Sequence, residues 1–138
     1  MALIPYLHFN GTCAEALRFY EQALGATTLF KMRFGDSPMA ADMPPGSADR
    51  IMHATLDVGG QHLMASDTHP DMGYAGMHGF SISLSYDSLD QARKVFDALA
   101  EGGQVSMPLQ KTFWSAAFGM LTDRFGTPWM INCDQEPG

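Results

Sequence analysis

Residues 80–91, Phe80-Ser81-Ile82-Ser83-Leu84-Ser85-Tyr86-Asp87-Ser88-Leu89-Asp90-Gln91, change their hydrophobic period midway. Phe80, Ile82, Leu84 and Tyr86 alternate with serines, the period-two pattern of a half-buried strand. Ser88 and Gln91 then form a capping-box signature, in which each side chain satisfies an orphan amide at a helix start. A helix is predicted over Leu89–Glu101, with Gly102-Gly103 ending it. Gln104–Leu109 reads as a short strand, and Ala116–Thr122 and Pro128–Cys133 as a hairpin around Asp123-Arg124-Phe125-Gly126. The order is strand, helix and three strands.

The same order is legible upstream. Ile4–Asn10 reads as a strand, and Thr12 with Glu15 as another capping box. The helix Cys13–Leu24 carries an apolar stripe of Ala16, Leu17, Phe19, Tyr20, Ala23 and Leu24, and Gly25 supplies its stop. Thr27–Phe34 is a β-branched and aromatic strand, followed by a proline-containing connection, Gly35–Asp49. Ile51–Val58 and Gln61–Ser66 flank Gly59-Gly60, a hairpin signal, and Asp67–His78 is loop-like. The helix runs Ala16–Glu21 and Ala92–Asp97 share a pattern of small, basic and aromatic positions. The expected fold is α+β, with two βαβββ half-repeats over about residues 4–67 and 79–133 of one domain spanning 1–138. Neither half buries its sheet alone, so the halves are expected to pair around a concavity.

Composition narrows the function classes. The chain has 138 residues, 46% hydrophobic and 17% charged, as in foldable globular proteins. A net charge of −7 disfavours nucleic acid and anionic membrane partners, which need clustered Lys and Arg. Cys13 and Cys133 are too few for a disulfide framework or four-thiolate zinc site, which points to a reducing cytoplasm. The start Met1–Tyr6 lacks a basic leader and long apolar core, so no signal peptide is expected. No stretch reaches the roughly 20 apolar residues of a membrane span.

The series Thr112-Phe113-Trp114, Phe118-Gly119, Thr122-Asp123-Arg124-Phe125-Gly126 and Pro128-Trp129-Met130-Ile131-Asn132 resembles the PhnB-like branch of the vicinal oxygen chelate (glyoxalase/bleomycin-resistance) superfamily. Pro5-Tyr6-Leu7-His8-Phe9, Phe19-Tyr20 and Met64-Ala65-Ser66-Asp67 extend the likeness over nearly the whole chain. The resemblance implies paired βαβββ repeats and a homodimer. A methyltransferase label attached to some related sequences gains no support, because no glycine-rich nucleotide loop follows a strand.

Catalytic members of the wider superfamily bind a divalent metal through His and Glu side chains in the cleft, and the metal polarises substrate oxygens. Aligned on the Asp-x-x-Gly turn, the Glu position falls on Met130, and its first-half counterpart on Met64. The histidine positions fall near Ser81 and near Ile4 or Pro5; His8 is the nearest imidazole. Thioethers are poor ligands for such ions, so no metal site or cofactor is expected.

The residues permit several readings. His8, His53 and His62 lie in strands, where parity can bring some to one surface as zinc or iron ligands; partly buried hydrogen bonding is the plainer reading. His69 and His78 are expected in solvent. Cys13 in a helix's first turn is either an activated thiolate or, more simply, packed and inert. Phe113 and Trp114 either cap a ligand cleft or fill the core or a dimer contact. Met64 and Met130, with Ser81, Ser83, Ser85 and Asn132, suit a tolerant, partly apolar cleft wall. The leading expectation is a metal-independent, small-molecule-binding protein, a homodimer in the cytoplasm. The alternatives are a metal-dependent glyoxalase- or dioxygenase-type enzyme using cleft histidines, and an interaction protein.

Overall fold

The structure is a computed structural model, and it describes residues 1–38 and 40–134. Met39, inside the connection expected over 35–49, lies outside the described residues. Two compact units are present, Met1–Gly76 and Met77–Gly138. Each holds one βαβββ repeat, as the period change predicts.

The first unit runs β1 (Tyr6–Phe9), α1 (Cys13–Leu24), β2 (Thr27–Arg33), β3 (Ile51–Val58) and β4 (Gln61–Asp67). Its sheet has the order β1-β4-β3-β2; β1 is parallel to β4 and the other pairs are antiparallel. The β3–β4 turn is Gly59-Gly60, with φ of 60° and 86°, the left-handed pair that a two-residue hairpin requires. Strand β1 starts later than expected because Pro5 offers the ladder only its carbonyl, which accepts from the Met64 N–H at 3.0 Å.

The second unit runs β5 (Ile82–Tyr86), α2 (Leu89–Ala100), β6 (Gln104–Gln110), β7 (Ala117–Thr122) and β8 (Pro128–Cys133), in the order β5-β8-β7-β6. Again the first strand is parallel to the last, and the remaining pairs are antiparallel.

Helix α2 starts as the sequence indicates: Ser88 Oγ accepts from the Gln91 N–H at 3.2 Å. Helix α1 does not. Thr12 makes no side-chain capping bond. The task passes to Asp67, at the end of β4, whose Oδ1 accepts from the N–H groups of Gly11 (2.8 Å) and Cys13 (3.0 Å). Its Oδ2 accepts from the Ile51 N–H at 2.8 Å, so one buried carboxylate ties α1 to β3 and β4.

Asp123 does comparable work in the second unit. Its Oδ1 accepts from Phe125 and Thr127 N–H, and its Oδ2 from the Trp129 indole N–H at 2.9 Å. Both carboxylates are buried and collect hydrogen bonds from separate parts of their unit, which explains why aspartate stands in the Met64–Asp67 and Thr122–Gly126 stretches. A carboxylate accepts through both oxygens, and the N–H groups named at each site are donors.

The thiols of Cys13 and Cys133 are fully buried. Burial first, and then the Asp67 carboxylate, push the Cys13 thiol far above its ordinary range, with Lys31 opposing weakly. The helix-start location therefore creates no reactive thiolate, because desolvation outweighs the dipole. With a chromogenic disulfide reagent at pH 8, the native protein is expected to release no colour over minutes. Both thiols should react at once in denaturant; one fast native thiol would contradict this account.

Candidate functional site

Each sheet has one face covered by its helix and one left open. In β1, Leu7 and Phe9 are buried on the helix side, which puts Tyr6 and His8 on the open side. The ladder then sorts the other strands: Tyr6 faces Met64, Met64 faces Thr55, and Thr55 faces Phe30. His8 pairs with Ser66, one pleat further along the same face.

His53 joins this surface. Its Nδ1 lies 3.1 Å from Tyr6 Oη, and its Nε2 lies 3.4 Å from Thr55 Oγ1. Tyr6 stands 4.9 Å from the His8 ring and 5.7 Å from the His53 ring, centroid to centroid. Phe30 continues the series at 6.0 Å from His53. The first open face is thus a strip of rings beside Met64.

In the second unit the open face is softer. Ser83 faces Met130, Met130 faces Met120, and Met120 faces Met107, a row of three thioethers across neighbouring strands. The next row holds Ser85, Asn132 and Phe118. Asn132 also donates through Nδ2 to Asp134. Ser81 lies just before β5 and is half-buried, so the cross-strand partner of Met130 is Ser83, and that of Met64 is Tyr6.

Phe113 and Trp114 sit on the β6–β7 connection. The turn is clipped by Thr112, whose Oγ1 accepts from the Ser115 N–H at 3.1 Å and whose own N–H donates to the Ser115 carbonyl at 3.2 Å. The two rings meet edge to face at 4.7 Å, and Trp114 lies 5.6 Å from Phe118. Phe113 is 97% exposed and Trp114 55%, so neither fills the core. The tight turn presents both rings outward.

The donor set does not fit the metal that catalytic superfamily members carry. Among the described residues, no three His, Cys, Asp or Glu side chains are grouped so as to hold an ion. His53 engages both ring nitrogens with Tyr6 and Thr55. His62 is exposed at the far end of β4, opposite Asp57. His69, expected in solvent, is half-buried: it stands edge-on to Phe34, and its Nδ1 accepts from the Asp71 N–H. His78 is exposed, as expected.

The structure therefore puts His8 and Met64 on one open face and Ser83, Met130 and Asn132 on the other. Sequence reasoning missed Tyr6, Phe30, Met107, Met120 and Phe118. The alternation in Tyr6–Phe9 already carries the signal for Tyr6. Phe30 and Met107 sit beside register irregularities in β2 and β6, which strand parity does not anticipate.

A family model described as the Glyoxalase/Bleomycin resistance protein/Dioxygenase superfamily matches residues 4–131. Protein YjdN of Escherichia coli K12 is 39% identical over 140 aligned positions, covering 96% of this chain and 95% of YjdN. The crystal structure of protein PA1353 from Pseudomonas aeruginosa superposes with a TM-score of 0.91 at 54% identity, covering 99% of each chain. A PhnB protein from Bacillus cereus gives a TM-score of 0.81 at 25% identity, over 96% of this chain and 99% of that one.

Proposed function

The chain belongs to the glyoxalase/bleomycin resistance protein/dioxygenase superfamily as a PhnB-like member, and from that premise we propose that it is a metal-independent small-molecule-binding protein. In this reading a ligand rests against an open sheet face, at His8 and Met64 in the first unit or at Ser81, Ser83, Met130 and Asn132 in the second. Phe113 and Trp114 close over the ligand or serve the contact of a homodimer. The observation that carries the proposal is the pair Met64 and Met130. Both face the open side in the middle of the last strand of their repeat, next to Tyr6 and Ser83. In each unit a thioether beside a phenol or a hydroxyl makes an adaptable surface for a partly apolar molecule, and a poor ligand set for a hard divalent ion.

The alternative, a metal-dependent glyoxalase- or dioxygenase-type enzyme, draws on one specific observation: His8 and His53 share a face, bridged by Tyr6. It requires His53 to give up a hydrogen bond to bind an ion, and among the described residues no carboxylate joins them in a group of three ligands.

No helix is long and apolar enough to cross a membrane among the described residues, and the two buried free thiols suit the cytoplasm we propose.

Elemental analysis of untagged protein, purified without chelator and then incubated with zinc, nickel, iron or manganese, tests the reading. Metal well below one equivalent per chain is expected, while a small-molecule panel should contain compounds that raise the melting temperature, since a native-state ligand must stabilise. One tightly held equivalent per chain, lost in His8→Ala, would put the enzyme reading in its place.

A further inference from the structure

We propose that the open face of the first sheet is a platform for a planar aromatic cation. This inference rests on the small-molecule reading above and names the chemical class that one half of the site selects.

The ring strip is continuous. His8, Tyr6, His53 and Phe30 follow one another at centroid distances of 4.9, 5.7 and 6.0 Å. Tyr6 belongs to β1 and His53 to β3, with β4 between them, so the tyrosine side chain reaches across the intervening strand. Ser66 on that strand, opposite His8, is small and only 6% exposed.

The strip is also held in place before any ligand arrives. The Tyr6–His53–Thr55 hydrogen-bond chain fixes the imidazole at both nitrogens. A preoriented ring surface loses little conformational freedom on binding, and so retains more of its contact energy. Yet the rings are not core: Tyr6 is 40% and Phe30 47% exposed.

Charge selects among planar ligands. The register turns Lys31 and Arg33 to the helix side, opposite Ala54 and Ile51. Arg33 is in any case bound to Asp36 and Asp49, and Arg50 to Asn10 and the Thr68 carbonyl. Strands β1 to β4 therefore offer an anion no Lys or Arg on their open face. The acidic group there is Asp57, opposite Thr27 and His62, in a chain of net charge −7. Aromatic faces carry negative quadrupole density and attract cations. A planar molecule with delocalised positive charge satisfies stacking and field together.

The test uses three probes at pH 8, where ordinary imidazoles are neutral. Proflavine supplies a planar tricyclic cation, fluorescein a planar anion of similar ring size, and tetrabutylammonium a cation without a ring. Fluorescence anisotropy reports the two dyes, and tetrabutylammonium is assayed by competition. Proflavine is expected to bind at least about tenfold more tightly than either other probe, and to weaken roughly tenfold in Tyr6→Leu and in Phe30→Leu. Both replacements are at exposed positions, and circular dichroism checks their folding.

Fluorescein binding as tightly as proflavine overturns the charge argument. Proflavine binding unchanged in both variants overturns the platform. Weakening in Trp114→Ala alone places the dye on the second sheet, which ends this inference while leaving the small-molecule reading intact. Stoichiometric metal with no binding of any compound ends both.

Discussion

Replacement of Asp67 by alanine is expected to lower the unfolding free energy by about 3–5 kcal/mol, the scale of three orphaned buried donors. The N–H groups of Gly11, Cys13 and Ile51 all end on this carboxylate, and Asp67 is 3% exposed, so water does not take over the bonds. Helix α1 would also lose a negative charge at its N-terminus, where the macrodipole favours one. At roughly 3–5 °C per kcal/mol for a chain of this size, the melting temperature should fall by at least about 10 °C.

Asp67→Asn sharpens the argument, because it keeps the volume and changes only the charge and the donor–acceptor pattern. If the amide oxygen keeps Gly11 and Cys13, the amide nitrogen points at the Ile51 N–H, donor against donor. If it turns over, the nitrogen faces two donors. A loss of about 2–3 kcal/mol is therefore expected even from this isostere. Amide exchange at Gly11, Cys13 and Ile51 should accelerate ahead of the rest of the first unit. An Asn variant melting within 2 °C of the parent would show that charge and acceptor count at this position do not hold the helix start.

The same residue marks how far the sequence could be read. Period, caps and glycine punctuation located the elements, because those signals are local: the helix Cys13–Leu24 has its expected bounds, and the Gly59-Gly60 hairpin forms where the pair stands. The capping of α1 was misread because its true partner lies 54 residues away from Cys13, and no local spacing reports it. Strand parity sets His8 opposite to Leu7 and Phe9, and because β1 and β4 pair without irregularity Met64 and Ser66 share that side. Phe30 and Met107 drew no facing from the sequence, and shifts in β2 and β6 break the count there. His53 was legible as a strand histidine, but its union with Tyr6 depends on a side chain spanning a whole strand. Ligand chemistry was the least legible, because open-face residues are chosen by a ligand and not by folding, so they follow no backbone rule.

Gly119→Ala is the second substitution with a large expected effect, at about 2–4 kcal/mol of destabilisation from overpacking. Gly119 is on the helix side of β7, opposite Ile131 and next to Phe96 of α2. A Cβ there would lie 2.6 Å from Phe96 Cε2 and 3.0 Å from both the Cα and the N of Leu109. These two obstacles differ in kind. The Phe96 ring is the end of a side chain and can be shortened; the Leu109 backbone belongs to β6 and moves only if the edge of the sheet moves.

A double-mutant cycle separates the two obstacles. Phe96→Leu alone should cost about 1–2 kcal/mol through lost packing around a residue that is 5% exposed. Combined with Gly119→Ala, it should cost less than the sum, with a coupling of about 1 kcal/mol from relief of the ring contact. The residual loss measures the backbone contact. Strict additivity would mean that the ring swings aside freely, leaving Leu109 as the whole obstacle. A double variant as stable as Phe96→Leu alone would mean the reverse: the sheet edge yields, and glycine stands at this position only to admit the phenylalanine.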